Sequence, residues 1–169
     1  MKVMVVSPHP DDETLGAGGT LLRLKKEGHQ IYWLNITDAK EKDGWSASFI
    51  KQRKEQIQRV CDFFEFDDAF NLKFPPAKLE MLEKSILIQK IGSCFQTVEP
   101  EWIILPDPND AHSDHKITYE SCISCSKIFR YPYIHRITTM EILSETDFGR
   151  IDNPFVPNYF VNISDYMKS

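Results

Sequence analysis

Three observations in the sequence predict an α/β sandwich with a mainly parallel sheet. Short apolar and β-branched runs alternate along the chain with longer segments whose apolar residues have helical spacing. The runs at 2–6 and 101–105 are apolar without alternation, as expected for strands that helices cover on both faces. The chain has 169 residues, the length of one ordinary domain. We therefore expect residues 1–169 to form a single domain.

Each predicted element follows from its local pattern. Gly28 stops the first helix, apolar residues recur at intervals of three, four and seven in the second, and Pro106-Asp107-Pro108 stops the fourth strand. The predicted helices are 14–27, 46–64, 79–95 and 112–129. The predicted strands are 2–6, 30–36, 69–72, 101–105, 136–143 and 159–163.

Composition narrows the classes of partner. Lys and Arg number 20 and Asp and Glu 25, a formal charge of −5, so the positive charge with which most nucleic-acid binders attract phosphate is missing. No stretch approaches the roughly 18–20 apolar residues of a membrane span, and the N-terminus does not resemble a signal peptide. We expect a cytoplasmic protein with reduced cysteines, without a nucleic-acid partner or a membrane span. The sequence leaves a homo-oligomer open.

Two polar clusters follow predicted strands, where α/β sheets bind ligands. Residues 9–13 follow the first strand and residues 110–115 follow the strand at 101–105. His9 with Asp12, and His112 with His115, are each three residues apart at the start of a helix, so each pair shares a face. Two histidines and one carboxylate suit a catalytic zinc, which keeps a position open for water and lowers the pKa of that water to about 7. The spacing does not decide between His112 and His115 as the ligand.

The remaining polar residues of the clusters have catalytic and structural interpretations. A second carboxylate could take the proton of the attacking water, and the second histidine could stabilise an oxyanion or protonate a leaving amine. Alternatively, Asp11 or Asp12 caps the first helix and Asp110 caps the fourth. His29 and His135 lack neighbours of ligand type, and we expect them to be ordinary surface or core residues.

Two further motifs have a structural explanation. The run Gly16-Ala17-Gly18-Gly19 resembles a nucleotide-binding loop, but Leu21 stands where that motif requires its last glycine. Close helix packing explains the run better. Cys122-x-x-Cys125 has metal or redox spacing but no partner pair, so we expect small buried residues.

The two clusters together resemble a known family. Pro8-His9-Pro10-Asp11-Asp12-Glu13 with the glycine run, and Asp110-x-His112-x-Asp114-His115, are similar to the motifs of the PIG-L/LmbE-like zinc-dependent de-N-acetylases. The likeness extends to Arg53-Lys54-Glu55 and to residues 155–164. It therefore covers essentially the whole chain.

The resemblance implies a Rossmann-like three-layer fold and a hydrolase that binds zinc. His9, Asp12 and His115 match the zinc ligands, and Asp11 matches the general base. His112 matches the histidine that faces the developing oxyanion, Asp114 the carboxylate that orients His112, and Arg53 an arginine of the substrate site. The implied reaction removes the acetyl group from an N-acetylated amino sugar or glycoconjugate of N-acetylglucosaminyl type, releasing acetate and a free amine.

The sequence departs from the family at two positions and at its end. Ala39 stands where relatives usually have glycine after a Thr-Asp pair, and Glu65 replaces a glycine at the end of the second helix. The chain stops at 165–169, where a new helix is expected to begin, so we expect either a family member that is short at its C-terminal end or a fragment of a longer one.

Two other functions remain as alternatives. One is a deacylase of another small amide, such as an antibiotic or a thiol precursor, with the same catalytic residues. The other is a non-catalytic sugar-binding member of the fold. The presence of all six motif residues argues against the second alternative.

Overall fold

A five-stranded sheet, in which all neighbouring strands are parallel, forms the centre of the protein in a computed structural model that describes residues 1–167. The strands are β1 (Lys2–Ser7), β2 (Gln30–Thr37), β3 (Asp68–Phe74), β4 (Trp102–Pro106) and β5 (Arg136–Met140). Their order is β3-β2-β1-β4-β5. The predicted α/β class with a parallel sheet is confirmed.

Helices connect the strands and cover both faces of the sheet. The helices are α1 (Asp12–Lys26), α2 (Ala47–Phe64), α3 (Lys84–Val98), α4 (Ser113–Ser124) and the short α5 (Leu143–Thr146). 3-10 turns lie at Glu41–Asp43, Leu79–Met81 and Ser164–Tyr166. Within residues 1–167, none of the helices combines the length and the apolar composition that a bilayer span requires.

The core consists of two apolar layers separated by the sheet. Val3 and Val5 of β1 pack into the layer under α1 and α2, whereas Met4 and Val6 pack into the layer under α3 and α4. All four side chains are fully buried. β1 lacks polar alternation because helices cover both of its faces. The sheet between two layers of helices makes the fold a three-layer sandwich.

The glycine run allows close packing against α1. A Cβ atom at Gly16 would lie 2.8 Å from Met140 Sδ, and one at Gly19 would lie 2.7 Å from Ile163 Cδ1. Leu21 is buried in the core. The packing interpretation of the run is therefore confirmed. Cys122 and Cys125 are buried free thiols, as expected.

Two predicted helices differ from the structure at their ends. The segment predicted as one helix at 79–95 is a 3-10 turn followed by α3, because the backbone amide of Leu79 donates to Asp114 Oδ1 and fixes the turn against α4. The helix predicted at 112–129 ends at Ser124. There the hydroxyls of Ser124 and Ser126 donate to backbone carbonyls, which offers the chain an alternative to helical bonding.

The prediction of a strand at 159–163 is wrong. This segment makes no ladder with the sheet; instead Ile163 packs on Gly19 of α1, and the ring of Tyr159 contacts the ring of Trp102 and the guanidinium of Arg136. Only part of its apolar pattern serves side-chain packing, since Phe160 stays 77% exposed. The strand predicted at 136–143 ends at Met140, and α5 follows. Asp165 lies in a 3-10 turn, and residues 168–169 lie outside the described residues.

Glu65 ends α2 in the left-handed conformation, with φ of 51°. Glycine adopts this conformation without the steric cost that a Cβ atom brings. The backbone of this chain thus keeps the geometry that the expected glycine would have, with a glutamate in its place.

Candidate active site

The two polar clusters meet at the carboxyl ends of β1 and β4. These neighbouring strands lie where the chain changes direction across the sheet, the usual ligand position in an open α/β fold. A cavity of about 260 Å³ opens there. The loops after the first four strands contribute to its wall, together with residues of α2 and α5.

His9, Asp12 and His115 bring three ligand atoms to within 4.8 Å of one another. Asp12 Oδ2 lies 3.5 Å from His9 Nδ1 and 3.5 Å from His115 Nε2. A tetrahedral zinc with bonds of about 2.0–2.1 Å holds its ligands about 3.3 Å apart. The spacing and the donor types of these residues therefore fit zinc.

The ring of His115 is buried and oriented by a carboxylate. Its Nδ1 lies 2.8 Å from Asp110 Oδ2, whereas Nε2 has no hydrogen-bond partner among the described residues. A buried polar nitrogen without a partner is rare, and a metal would satisfy it. A carboxylate on the far nitrogen of a metal-binding histidine is the usual way to fix such a ring.

A second carboxylate orients His9. Its Nε2 lies 3.1 Å from Asp114 Oδ2, and the backbone amides of Ala77 and Leu79 donate to the same carboxylate. Burial acts against ionisation of Asp114, but the hydrogen bonds outweigh it and lower the pKa of Asp114. Burial also acts against the charge of His9, yet Asp114 and Asp12 raise the pKa of His9 to about 9.

The placement of Asp114 differs from its expected role beside His112. Its carboxylate contacts His9, and it is the backbone amide of Asp114 that donates to His112 Nδ1, at 3.1 Å. The reason is a tertiary contact. The chain after β3 brings the amides of Ala77 and Leu79 to the Asp114 carboxylate, which therefore lies away from His112, the N-cap residue of α4.

His9, His112 and Asp114 form a second group with close ligand atoms. In that group, however, the Asp114 carboxylate already accepts two backbone amides and lies against His9. The unpartnered nitrogen of His115 instead faces Asp12. The first group therefore suits a metal better.

His112 presents a hydrogen-bond donor at the cavity wall. Because its Nδ1 accepts from the Asp114 amide, a neutral ring carries its proton on Nε2. Burial, and then the charge of His9, lower the pKa of His112, which favours that neutral ring. His112 thus has the form of an oxyanion donor rather than that of a protonated acid.

Asp11 lines the cavity with its carboxylate free of helix capping. Burial and the charge of Asp12 raise the pKa of Asp11, while Arg53 acts in the opposite direction. Arg53 lies in the same wall and donates to the Pro10 carbonyl at 3.2 Å. The other carboxylates do not cap the helices either: Asp12 accepts from the amide of His9, and Asp110 from the ring of His115.

Sequence reasoning missed two residues of the site. It assigned Asp110 only a capping role, because a separation of five residues from His115 is not a helical pair spacing. It also missed Glu145, which lines the cavity, because 136–143 was predicted to be strand and the following α5 was not predicted at all. Ala39 lies in the cavity wall, so its difference from the expected glycine falls at the site itself.

Comparisons with known proteins agree with this architecture. The profile of the family described as PIG-L, GlcNAc-PI de-N-acetylase, matches residues 4–126. The chain is 25% identical over 178 residues to diacetylchitobiose deacetylase of Thermococcus kodakarensis, covering 99% of this chain and 65% of the relative. It is 29% identical over 121 residues to probable N-acetyl-alpha-D-glucosaminyl L-malate deacetylase 2 of Bacillus cereus, covering 67% of this chain and 55% of the relative.

A solved structure shows the same fold. The conserved protein TT1542 of Thermus thermophilus superposes with a TM-score of 0.78 at 24% identity, covering 98% of this chain and 73% of that one. The chain spans 65% and 55% of the lengths of the two curated relatives that it matches. The fold is thus shared over nearly the whole of this chain.

Proposed function

Because this chain belongs to the PIG-L family, the family of GlcNAc-PI de-N-acetylase, we propose that it is a zinc-dependent N-deacetylase of amino sugars. The observation that carries the proposal is the buried Nε2 of His115, which has no hydrogen-bond partner within residues 1–167 and faces Asp12 beside the non-capping carboxylate of Asp11. The names of the two curated relatives support deacetylation of N-acetylglucosaminyl compounds. We further propose that residues 1–169 act as one cytoplasmic domain.

His9, Asp12 and His115 would hold the zinc ion. When bound, zinc supplies Lewis-acid chemistry, in that it makes water a nucleophile at neutral pH and polarises a carbonyl. The Asp11 carboxylate accepts the proton of the water that adds to the acetamide carbonyl and delivers it to the amine nitrogen as the C–N bond breaks. The products are acetate and the free amine.

His112 and the two orienting carboxylates support that reaction. The Nε2–H of His112 donates to the carbonyl oxygen as negative charge develops on it, the role of an oxyanion donor. Asp114 and Asp110 hold the rings of His9 and His115. Arg53 is proposed to bind a hydroxyl of the sugar, since its guanidinium lies in the cavity wall next to Asp11.

Acetate release and metal content, measured together, test the proposal. The zinc-loaded protein is offered N,N'-diacetylchitobiose, N-acetylglucosamine, an N-acetylglucosaminyl malate and an acetyl-lysine peptide. We expect acetate from at least one sugar and none from the peptide. Turnover of the peptide alone contradicts the proposal, and turnover only of another acyl amide favours the small-amide alternative. Saturable sugar binding without acetate release favours the non-catalytic alternative.

A further inference from the structure

An aromatic pair, Trp45 and Phe49, forms part of the cavity wall and has no part in the chemistry described above. The two rings are stacked, with centroids 4.6 Å apart and an interplanar angle of 20°. Trp45 is 39% exposed, whereas the other two tryptophans, Trp33 and Trp102, are each 2% exposed. A large apolar ring is thus held at the surface of the site.

The fold holds Trp45 in place through its neighbours. Gly44 adopts φ of 95°, which turns the chain at the end of the 3-10 turn Glu41–Asp43. Ser46 caps α2 by accepting from the amide of Phe49. Lys78 lies 3.8 Å from Asp43 and ties this loop to the segment after β3. The indole is therefore presented by a built loop, packed on the first turn of α2.

The aromatic pair continues as a row of contacts that leads to the catalytic motif. The guanidinium carbon of Arg53 lies 5.6 Å from the centre of the Phe49 ring, and Arg53 donates to the Pro10 carbonyl next to Asp11. Trp45 is the outermost member of this row. Trp45 and Asp11 line the same cavity, so a substrate whose acetamide reaches Asp11 has Trp45 in the same wall for the part that lies beyond the acetamido ring.

The side chains of the cavity wall indicate the chemical class of the substrate part that lies beyond the acetamido ring. Flat aromatic rings pack against the apolar C–H face of a pyranose, whereas a phosphate or carboxylate gains little from them. Away from the metal ligands, the wall contains the carboxylates of Asp11, Asp38 and Glu145 and one guanidinium, that of Arg53, and this excess of negative charge disfavours an anionic group. The indole N–H of Trp45 has no protein acceptor within residues 1–167, while those of Trp33 and Trp102 donate to Ser7 and Thr138.

We propose that Trp45 and Phe49 form a second-sugar subsite that binds the neutral ring next to the one being deacetylated. This inference rests on the proposed deacetylase function and adds to it a preference for a neutral N-acetylglucosaminyl disaccharide over the monosaccharide. Trp45 is a binding residue, so its loss affects KM for the disaccharide and leaves kcat unchanged.

Steady-state kinetics of Trp45→Ala test the subsite. For N,N'-diacetylchitobiose we expect KM to rise about 3- to 10-fold, the equivalent of one aromatic stacking interaction, with kcat retained. KM for N-acetylglucosamine should change less than KM for the disaccharide, and Trp45→Phe should restore most of the disaccharide affinity. Phe63→Ala is the matched control, since Phe63 is an exposed aromatic of α2 that lies outside the cavity wall.

Fluorescence gives a readout that does not depend on turnover. Acrylamide quenching in the wild type reports mainly on Trp45, the exposed indole, and saturating disaccharide should protect it. Protection should be absent in Trp45→Phe. If the wild type deacetylates the disaccharide while Trp45→Ala keeps its KM and the sugar gives no protection, the subsite is wrong and the deacetylase function stands. If the zinc-loaded wild type releases acetate from neither sugar, the proposed function fails and the subsite fails with it.

Discussion

Asp11 and Asp12 are adjacent in the chain but are expected to have different roles, Asp11 as the general base and Asp12 as a metal ligand. Asp12 Oδ2 faces both histidine ligand atoms, whereas Asp11 lines the cavity without a capping bond. Asp11→Asn should therefore keep its zinc and lose about 10²–10⁴-fold in kcat, the usual contribution of a general base. Asp12→Asn should lower zinc occupancy. Zinc content and kcat of both variants decide the matter, and an empty site in Asp11→Asn with a full one in Asp12→Asn would show that the two roles are reversed.

Asp110 acts on the metal site only through the ring of His115. Asp110→Asn removes the charge that holds Nδ1 but keeps the side-chain shape, so zinc affinity should fall about 10–100-fold without complete loss. Competition with a zinc chelator measures the change. Asp107→Asn serves as a control, because Asp107 is also a buried acid of this loop but lies outside the His115 contact. Equal affinities of wild type and Asp110→Asn would contradict the orienting role.

Glu13 makes the stability of the protein depend on pH. The side chain is fully buried, and burial raises the pKa of Glu13 from 4.5 to about 7. Burial favours the protonated form of Glu13 in the folded state. The contribution of Glu13 to the free energy of unfolding is therefore fully present below about pH 4.5 and is lost as the pH rises through about 7. Glu13→Gln should match the wild type near pH 4.5 and exceed it by about 3 kcal/mol at pH 8.5, at about 1.4 kcal/mol per pKa unit.

Urea unfolding at the two pH values, with a chelator present, measures this difference. The amide can keep the contacts of the carboxyl, accepting from Thr14 and donating to Ser7. Glu55→Gln on the exposed face of α2 is the control and should follow the wild type at both pH values. A constant difference between Glu13→Gln and the wild type across the pH range would refute the assignment.

At the residue scale, local spacing proposed His9, Asp12 and one of two histidines as ligands, the family resemblance selected His115, and neither predicted the contacts that orient the rings. His9, Asp12 and His115 stand at strand ends and helix starts, which a sequence displays directly. The carboxylate of Asp114 takes its place from the amides of Ala77 and Leu79, more than thirty residues earlier in the chain. Such a contact depends on tertiary packing and has no local signature.

At the scale of elements, α1 offers a direct test of its packing. A Cβ atom at Gly18 would meet Phe64 at 3.6 Å, ordinary contact, whereas one at Gly19 would lie 2.9 Å from Ile163 Cβ. Gly18→Ala should stabilise the protein by about 0.5–1 kcal/mol, because alanine is the better helix former. Gly19→Ala should lack that gain and displace residues 155–163. Thermal unfolding with hydrogen exchange of that segment distinguishes the two variants, and identical behaviour would contradict the packing described.

The predicted elements succeeded or failed according to how they are buried. β1 and β4 were predictable because strands that are covered on both faces have unbroken apolar sequences. The segment at 159–163 has a similar composition but contacts α1 and Arg136 through side chains. Apolar composition alone therefore does not establish burial, since Phe160 stays 77% exposed, and it does not distinguish strand pairing from packing by side chains.

At the scale of the whole molecule, the site depends on the sheet order. β1 and β4 are neighbours although about a hundred residues separate them, and this brings His9 and Asp12 to His115. A metal at these residues would link two distant parts of the chain. Because zinc would bind the folded state and not the unfolded one, it should stabilise the fold by about 2.7 kcal/mol at a hundred times its dissociation constant.

The shift in Tm that zinc produces tests the metal site most directly. The chelated full chain is heated with and without zinc, beside His115→Ala as the variant without the buried ligand. We predict a rise in Tm that grows with zinc concentration in the wild type, reverses with chelator and is absent in His115→Ala. If zinc does not change the Tm of the wild type, or raises the Tm of His115→Ala equally, the assignment of His9, Asp12 and His115 as the metal ligands is contradicted.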